Sequence, residues 1–174
     1  MQVWTRKTDS MFYWIFFRPD DRTKMKLQAD LREFIELLNS HGVKYVIVGG
    51  YAVAYHGFPR YTGDIDFFIE VSQDNAERMS KVVAAFGFGS TGLTSRAFLE
   101  EGVIVQLGVP PNRIDIVTGL TGVDFDEAWA SKVAAELDGI PVHFLSKDVL
   151  IKNKAATGRA RDQADIEDIA GTGD

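Results

Sequence analysis

Two short segments of this sequence, residues 46–51 and residues 63–68, constrain what the chain can fold into. The first is an apolar run that ends in two glycines, and the second alternates carboxylates with apolar residues. Strand residues two apart point to the same face, so Asp64 and Asp66 project together while Ile65 points the opposite way into the core. Two converging carboxylates beside a glycine turn predict a place where a divalent cation meets a phosphate.

The spacing of apolar residues predicts a mixture of helices and strands. Helical periodicity and helix-ending glycines predict helices at 25–40, 51–56, 72–86, 125–129 and 146–170, the last broken near 157–158. Apolar and alternating runs predict strands at 43–48, 64–71, 103–107 and 113–117, and a hairpin of 132–137 with 140–144 around Asp138-Gly139. Residues 87–95 are predicted to form a loop. Because helices and strands are intermixed, the fold class is α/β or α+β with a mixed sheet.

Length and composition narrow the kinds of site that such a fold can carry. The 174 residues suit one domain, which we place at 25–170 with 146–170 as its C-terminal helical part. The chain has no cysteine and three histidines, so a bound metal would be a hard cation held by oxygen. The net charge of −6 excludes a broadly basic surface for nucleic acid, so contact with RNA would require a local patch and a bound metal.

Residues 1–24 differ in character from the rest of the chain. Residues 11–17 form a run of apolar and aromatic residues that is too short to span a bilayer. No small-residue cleavage site follows this run, so a signal peptide is not favoured. Two interpretations remain, an extra edge strand or a start codon placed too early, with Met25 as the natural start. We therefore expect a cytoplasmic protein without a membrane partner.

A third carboxylate on a predicted strand, Asp115, adds to the pair at Asp64 and Asp66. Each of the three is flanked by apolar residues, where an ionised carboxylate is costly unless it is neutralised. Bound Mg²⁺ removes the repulsion among them, and two such ions activate an attacking oxygen and stabilise a leaving pyrophosphate. Gly49 and Gly50 allow backbone N–H groups to approach the phosphates. Each motif alone is common, but the ordered set is specific.

These motifs resemble the signature of polymerase-beta-type nucleotidyltransferases at residues 48–50, 60–66 and 113–115. With the stretch 148–162, the chain is similar more narrowly to the small bacterial nucleotidyltransferases grouped with the AbiEii-like toxins. The resemblance covers residues 25–169. It implies the nucleotidyltransferase fold, with a mixed central β-sheet flanked by helices. It also implies transfer of a nucleoside monophosphate from an NTP to an acceptor hydroxyl, with release of pyrophosphate.

The resemblance also implies roles for individual residues. Asp64 and Asp66 would bind the metals, Mg²⁺ in a two-metal site or Mn²⁺ in its place. Asp115 would be the third metal-binding carboxylate and would help to deprotonate or align the acceptor, and Lys154 would contact the triphosphate or the acceptor. The implied nucleotide-binding residues are Gly49, Gly50, Arg60, Thr62 and Arg159. Many relatives have serine at the second glycine, whereas Gly50 leaves only backbone donors.

Several of these residues have a second interpretation from the sequence. Arg60 either holds a phosphate or forms a salt bridge across the turn before Asp64. The charged residues at 152–165 either contact substrate or form a solvated, ion-paired helix face. His56 is predicted to be a helix cap or a surface group and not a metal ligand. Four phenylalanines are predicted to be core residues and not base-stacking platforms: Phe67, Phe68, Phe86 and Phe88.

Three classes of function remain open from the sequence. The first is an active transferase that acts on RNA such as tRNA, or on a protein, and serves as the toxin of a pair with an antitoxin protein. The second is a module of the same fold that binds nucleotide or metal without catalysis. The third is a transferase for an antibiotic or metabolite, although the short segment 146–174 leaves little room for an acceptor domain. No feature of the sequence distinguishes ATP from CTP or UTP.

Overall fold

A computed structural model of the protein describes residues 27–58 and 62–171. The two interpretations of residues 1–24 concern a segment outside the described residues, and so does the expected role of Arg60. In the described part of the chain, no helix combines the length and the apolar character that are needed to cross a membrane.

In residues 27–58 and 62–171, six α-helices and six strands form the body of the fold. The helices are α1 Ala29–Ser40, α2 Gly49–Tyr55, α3 Gln73–Val83, α4 Phe125–Ser131, α5 Lys147–Thr157 and α6 Ala160–Gly171. The strands are β1 Tyr45–Val48, β2 Asp64–Ile69, β3 Ile104–Leu107, β4 Arg113–Val117, β5 Val133–Leu137 and β6 Ile140–Phe144. The predicted break in the last helical region is confirmed, since Gly158 caps α5 in the left-handed conformation that favours glycine.

Two predicted boundaries were wrong. Helix α2 begins directly at Gly49 and not at Tyr51, so the glycine pair forms the first turn of a helix and not a separate turn before it. The predicted loop at 87–95 is replaced by short helical turns at Ala84–Phe88, Gly89–Thr91 and Ser95–Phe98. Ala84–Phe88 directly continues α3, Ser95–Phe98 packs against α3, and residues 92–94 between the turns stay irregular as predicted.

The six strands form one mixed sheet in the order β3-β4-β2-β1-β6-β5. Strand β2 pairs antiparallel with β1 and parallel with β4, and β1 pairs parallel with β6. The predicted hairpin is confirmed, because Asp138 and Gly139 both adopt positive φ, of 51° and 76°, between β5 and β6. Arg32 of α1 donates to the Asp138 carbonyl at 2.8 Å and thereby ties this turn to the first helix. The predicted class, a mixed sheet with flanking helices, is confirmed.

An aromatic cluster behind β2 anchors the strand that carries the paired carboxylates. The Phe67 ring is fully buried, and its centroid lies 5.4 Å from those of Phe34 and Tyr45. The neighbouring side chains Asp64 and Asp66 are only partly buried, so alternation along β2 separates core from site. The position of the carboxylates therefore depends on the packing of Phe67.

Replacing Phe67 with alanine should lower the free energy of unfolding by about 3–5 kcal/mol, because the change leaves a cavity among packed rings. Chemical denaturation measures the loss. Val109→Ala is the control, since Val109 is 70% exposed and should change stability by less than about 0.5 kcal/mol. Equal losses in the two variants would contradict this account of the core.

Candidate active site

The candidate site lies where β1 ends and where β2 and β4 begin. In the parallel pairing of β2 with β4, Asp66 lies opposite Asp115 and Asp64 lies opposite Arg113. On the other side of β2, Asp66 pairs with Val48, the last residue of β1 before the glycines. The sheet register thus brings together residues that are about fifty positions apart in sequence. The three predicted strand aspartates share one end of the sheet.

Gly49 is required at this junction for two reasons. It adopts a φ of +62°, a conformation that other residues rarely take. A Cβ atom at this position would also lie 2.1 Å from Asp66 Oδ2. No side chain fits there, so the backbone at the start of α2 passes directly against the Asp66 carboxylate.

Arg113 is a site residue that the motif interpretation missed. Its guanidinium lies between two carboxylates: Nε donates to Asp115 Oδ1 at 2.8 Å, Nη2 lies 3.0 Å from Asp115 Oδ2, and Nη2 also donates to Asp64 Oδ2. Hydrogen bonding and charge from Asp115, and then the charge of Asp64, raise the pKa of Arg113 above its ordinary value. The spacing Arg113-x-Asp115 on a strand was the signal for this pair, since it places both side chains on one face.

Asp115 is the most enclosed of the three carboxylates. It is buried, and besides Arg113 it accepts a hydrogen bond from Gln106 Nε2 of the neighbouring strand β3 at 3.2 Å. A buried carboxylate is tolerated when it is paired and hydrogen-bonded. The contacts with Arg113 and Gln106 therefore satisfy the Asp115 side chain at its buried position in the sheet.

Asp66 has the most perturbed acidity in the site. Burial is the main cause that raises its pKa to about 7, and the charges of Asp64 and Asp115 raise it further. Arg113 and Lys154 act in the opposite direction, without compensating fully. Like charges close together and partly desolvated cannot all ionise freely, so this carboxyl takes up a proton near neutral pH.

This shift predicts how stability depends on pH. The Asp66 carboxyl titrates near pH 3.8 in the unfolded chain and near 7 in the folded protein, so the folded state binds the proton more tightly between these values. Stability should fall as pH rises through this interval and level off above it. Asp66→Asn mimics the protonated carboxyl, so it should reduce that fall, as measured by urea denaturation in EDTA at pH 5, 6, 7 and 8. Parallel pH profiles for wild type and variant would contradict the assignment.

Lys154 lies in a buried ion network of the C-terminal helices. It is 4% exposed, and its ammonium contacts Asp162 at 2.9 Å and Asp165 at 2.6 Å. Thr157 donates a hydrogen bond to Asp162 at 2.5 Å. The alternative interpretation, an ion-paired helix face, is confirmed for Lys154 as far as the ion pairs are concerned. The expected exposure to solvent was wrong, because α6 packs on α5 and the ammonium is buried. The charge of Lys154 still reaches Asp66, whose pKa it lowers.

The remaining residues singled out from the sequence lie partly beside the site and partly in the core. Thr62 lies against Gly50 and Asp64, and Arg159 is exposed near Asp162, whose pKa its charge helps to lower. His56 Nε2 donates to the Leu145 carbonyl at 2.8 Å, a contact that ties the end of α2 to the residue after β6. The four phenylalanines predicted as core belong to the hydrophobic cluster or pack against it.

The described residues do not present a ready-made metal cluster. Within residues 27–58 and 62–171, no three carboxylate or histidine side chains are arranged so that they could hold one ion together. Two of the three strand aspartates are instead held by Arg113. The site is thus a set of oxygen donors at one sheet end, with an arginine among them.

Comparison with known proteins assigns the family. Residues 27–173, most of the chain, match a family described as nucleotidyl transferase of unknown function (DUF2204). The chain belongs to this family of nucleotidyl transferases. No curated protein matches the sequence significantly.

Solved structures of similar fold are also described as nucleotidyltransferases. A putative nucleotidyltransferase from Thermotoga maritima is 16% identical with a TM-score of 0.53, over 81% of this chain and 90% of that one. An antigenic nucleotidyltransferase-like protein from Paracoccidioides brasiliensis is 18% identical with a TM-score of 0.51, over 81% of this chain and 73% of that one. At these identities the likeness shows the fold, which is the nucleotidyltransferase fold.

Proposed function

We propose that this family member transfers a nucleoside monophosphate from an NTP to an acceptor hydroxyl and releases pyrophosphate. The observation that carries the proposal is the junction of β1, β2 and β4. There Asp66 pairs with Asp115 across parallel strands and Gly49 lies directly against Asp66. The family and the fold favour the same reaction class.

The carboxylates suit a divalent cation by their chemistry. They offer hard oxygen donors, and the pKa of Asp66, raised by burial and then by the charges of Asp64 and Asp115, shows a cost of ionisation that a cation would relieve. We propose that Asp64, Asp66 and Asp115 hold Mg²⁺, or Mn²⁺ in its place. When bound, two such ions neutralise charge on the transferring phosphate and on the leaving pyrophosphate. Arg113 uses oxygens of Asp64 and Asp115 that the cations would need, so it must share or release them.

The chain's own residues would then bind and orient the two substrates. The acceptor oxygen attacks the α-phosphorus, the bond from that phosphorus to the β-phosphate oxygen breaks, and the hydroxyl proton passes to a carboxylate. Asp115, fixed by Arg113 and Gln106, is suited to align the acceptor. The backbone N–H groups at Gly49 and Gly50, at the start of α2, are the proposed contacts with the triphosphate. Arg60, Thr62 and Arg159 are further proposed contacts with the nucleotide, whereas Lys154, whose ammonium is buried between Asp162 and Asp165, is proposed to act through its charge.

A transfer assay tests this function. The purified protein, with Mg²⁺ and each of the four labelled NTPs in turn, should label RNA or protein in a total lysate. Asp66→Asn should reduce the rate by at least about 100-fold, since it removes a carboxylate proposed to hold the cations that stabilise the transition state. Lys154→Met should reduce the rate as well, because the variant removes a positively charged side chain that lowers the pKa of Asp66.

The matched control is Asp74→Asn. Asp74 is exposed in the first turn of α3, which follows the far end of β2, and this variant should keep the wild-type rate. Failure of the wild type to label any acceptor with any of the four NTPs would contradict the proposed reaction. An Asp66→Asn rate equal to that of the wild type would contradict the proposed site.

The contacts of Arg113 favour a second candidate, a module that binds nucleotide without transfer. An internal guanidinium that already neutralises Asp64 and Asp115 lets the fold persist without any cation. Calorimetric titration with NTPs separates the two candidates. Binding of an NTP without any transfer would favour the module, whereas binding with transfer favours the enzyme.

We also propose that the protein is the toxin of a toxin–antitoxin pair, acting on RNA in the cytoplasm, where NTPs are available. The support is the sequence resemblance of residues 148–162 to the AbiEii-like group. Expression without its antitoxin should slow the growth of a bacterial host, and Asp66→Asn should restore growth at the same protein level. Normal growth at high levels of folded wild-type protein would contradict the toxin role.

A further inference from the structure

Gly50 and Thr62 form a complementary pair at the edge of the site. Gly50 is buried in the first turn of α2, and its φ is not in the left-handed region, so its backbone conformation does not require glycine. The limited space beside this position does require glycine. A Cβ atom at position 50 would lie 2.9 Å from Thr62 Oγ1 and 3.0 Å from Thr62 Cβ. Gly50 is therefore the recess into which the Thr62 side chain fits.

From this recess, Thr62 contacts the first of the strand aspartates. Its Oγ1 lies 2.6 Å from Asp64 Oδ1 and 3.2 Å from the Asp64 carbonyl oxygen. A hydroxyl has one proton to donate, and the shorter contact with the charged oxygen is the stronger one. The other oxygen of Asp64, Oδ2, accepts from Arg113. The two donors approach different oxygens and thereby fix the orientation of the Asp64 carboxylate.

We propose that Thr62 is a positioning residue for Asp64, and that Gly50 is kept free of a side chain to admit it. This rests on the proposed function, in which Asp64 binds a divalent cation. Groups that orient a metal-binding carboxylate affect metal affinity although they do not touch the metal. In this account, the two glycines serve different aspartates. Gly49 makes room for Asp66 directly, and Gly50 makes room for the residue that orients Asp64.

The first test measures the coupling between the two positions. Gly50→Ala should lower the thermal midpoint, because its methyl group meets Thr62. In a Thr62→Gly background the methyl group meets neither Oγ1 nor Cβ, so the same change should cost less than half as much. A double-mutant cycle isolates this term. Strictly additive losses in thermal midpoint would overturn the inference that Gly50 makes room for Thr62.

The second test measures the effect on cation binding. Mn²⁺ affinity, followed by electron paramagnetic resonance, should fall by about 10-fold or more in Thr62→Val, in the range found for residues that orient metal ligands. Thr62→Ser keeps the hydroxyl and should stay within about threefold of the wild type. Thermal midpoints of both variants show whether they fold. A role limited to packing would leave Thr62→Val, which preserves shape, equal to the wild type, and that result would overturn the positioning role.

The outcomes separate this inference from the proposed function. If the wild type itself does not bind Mn²⁺, the cation part of the proposed function fails and the positioning role fails with it, while the stability cycle still decides the recess. If the wild type binds Mn²⁺ and Thr62→Val binds it equally well, only the role of Thr62 fails. A further variant, Gly50→Ser with Thr62→Gly, offers a hydroxyl from the other side without meeting a side chain at position 62, and recovered Mn²⁺ affinity would support the assignment.

Discussion

Repulsion among three carboxylates at one end of a sheet is the constraint on which the rest of the site depends. The register that pairs Asp66 with Asp115 brings like charges together in a partly desolvated place. Burial is the main cause of the raised pKa of Asp66, and the charges of Asp64 and Asp115 raise it further. Arg113, which bridges Asp64 and Asp115, offsets part of this repulsion, and the aromatic packing of Phe67 behind β2 holds the strand in place despite the remainder.

Local sequence signals were sufficient for most of the fold. The alternation in β2, the run 113–117 and the Asp138-Gly139 turn each depend on near neighbours in sequence, and the structure agrees with them. The start of α2 was misjudged because a glycine pair is a poor helix former by propensity. Here tertiary contacts decide, since the space beside Asp66 excludes a side chain. Propensity could not reveal that.

The features of the site that were not predicted from the sequence are contacts between distant parts of the chain. The bond from Arg113 to Asp64 joins residues 49 positions apart, so it follows only from the pairing of β2 with β4. Lys154 is a similar case. From the sequence it was predicted to contact the triphosphate or the acceptor, with a solvated, ion-paired face as the alternative, but in the structure its ammonium is buried between the carboxylates of Asp162 and Asp165. Once buried, each of these charges depends on its partners.

The arginine among the carboxylates bears on both candidate functions. A guanidinium carries one positive charge and donates in a plane, so it can satisfy Asp64 and Asp115 while Asp66 remains without comparable compensation. A divalent cation brings twice the charge and accepts oxygen donors from several directions. Arg113 therefore does not offset the free-energy cost of ionising Asp66. A transferase would use this third carboxyl to hold a cation against the phosphate, with the cation displacing the proton to solvent as it binds.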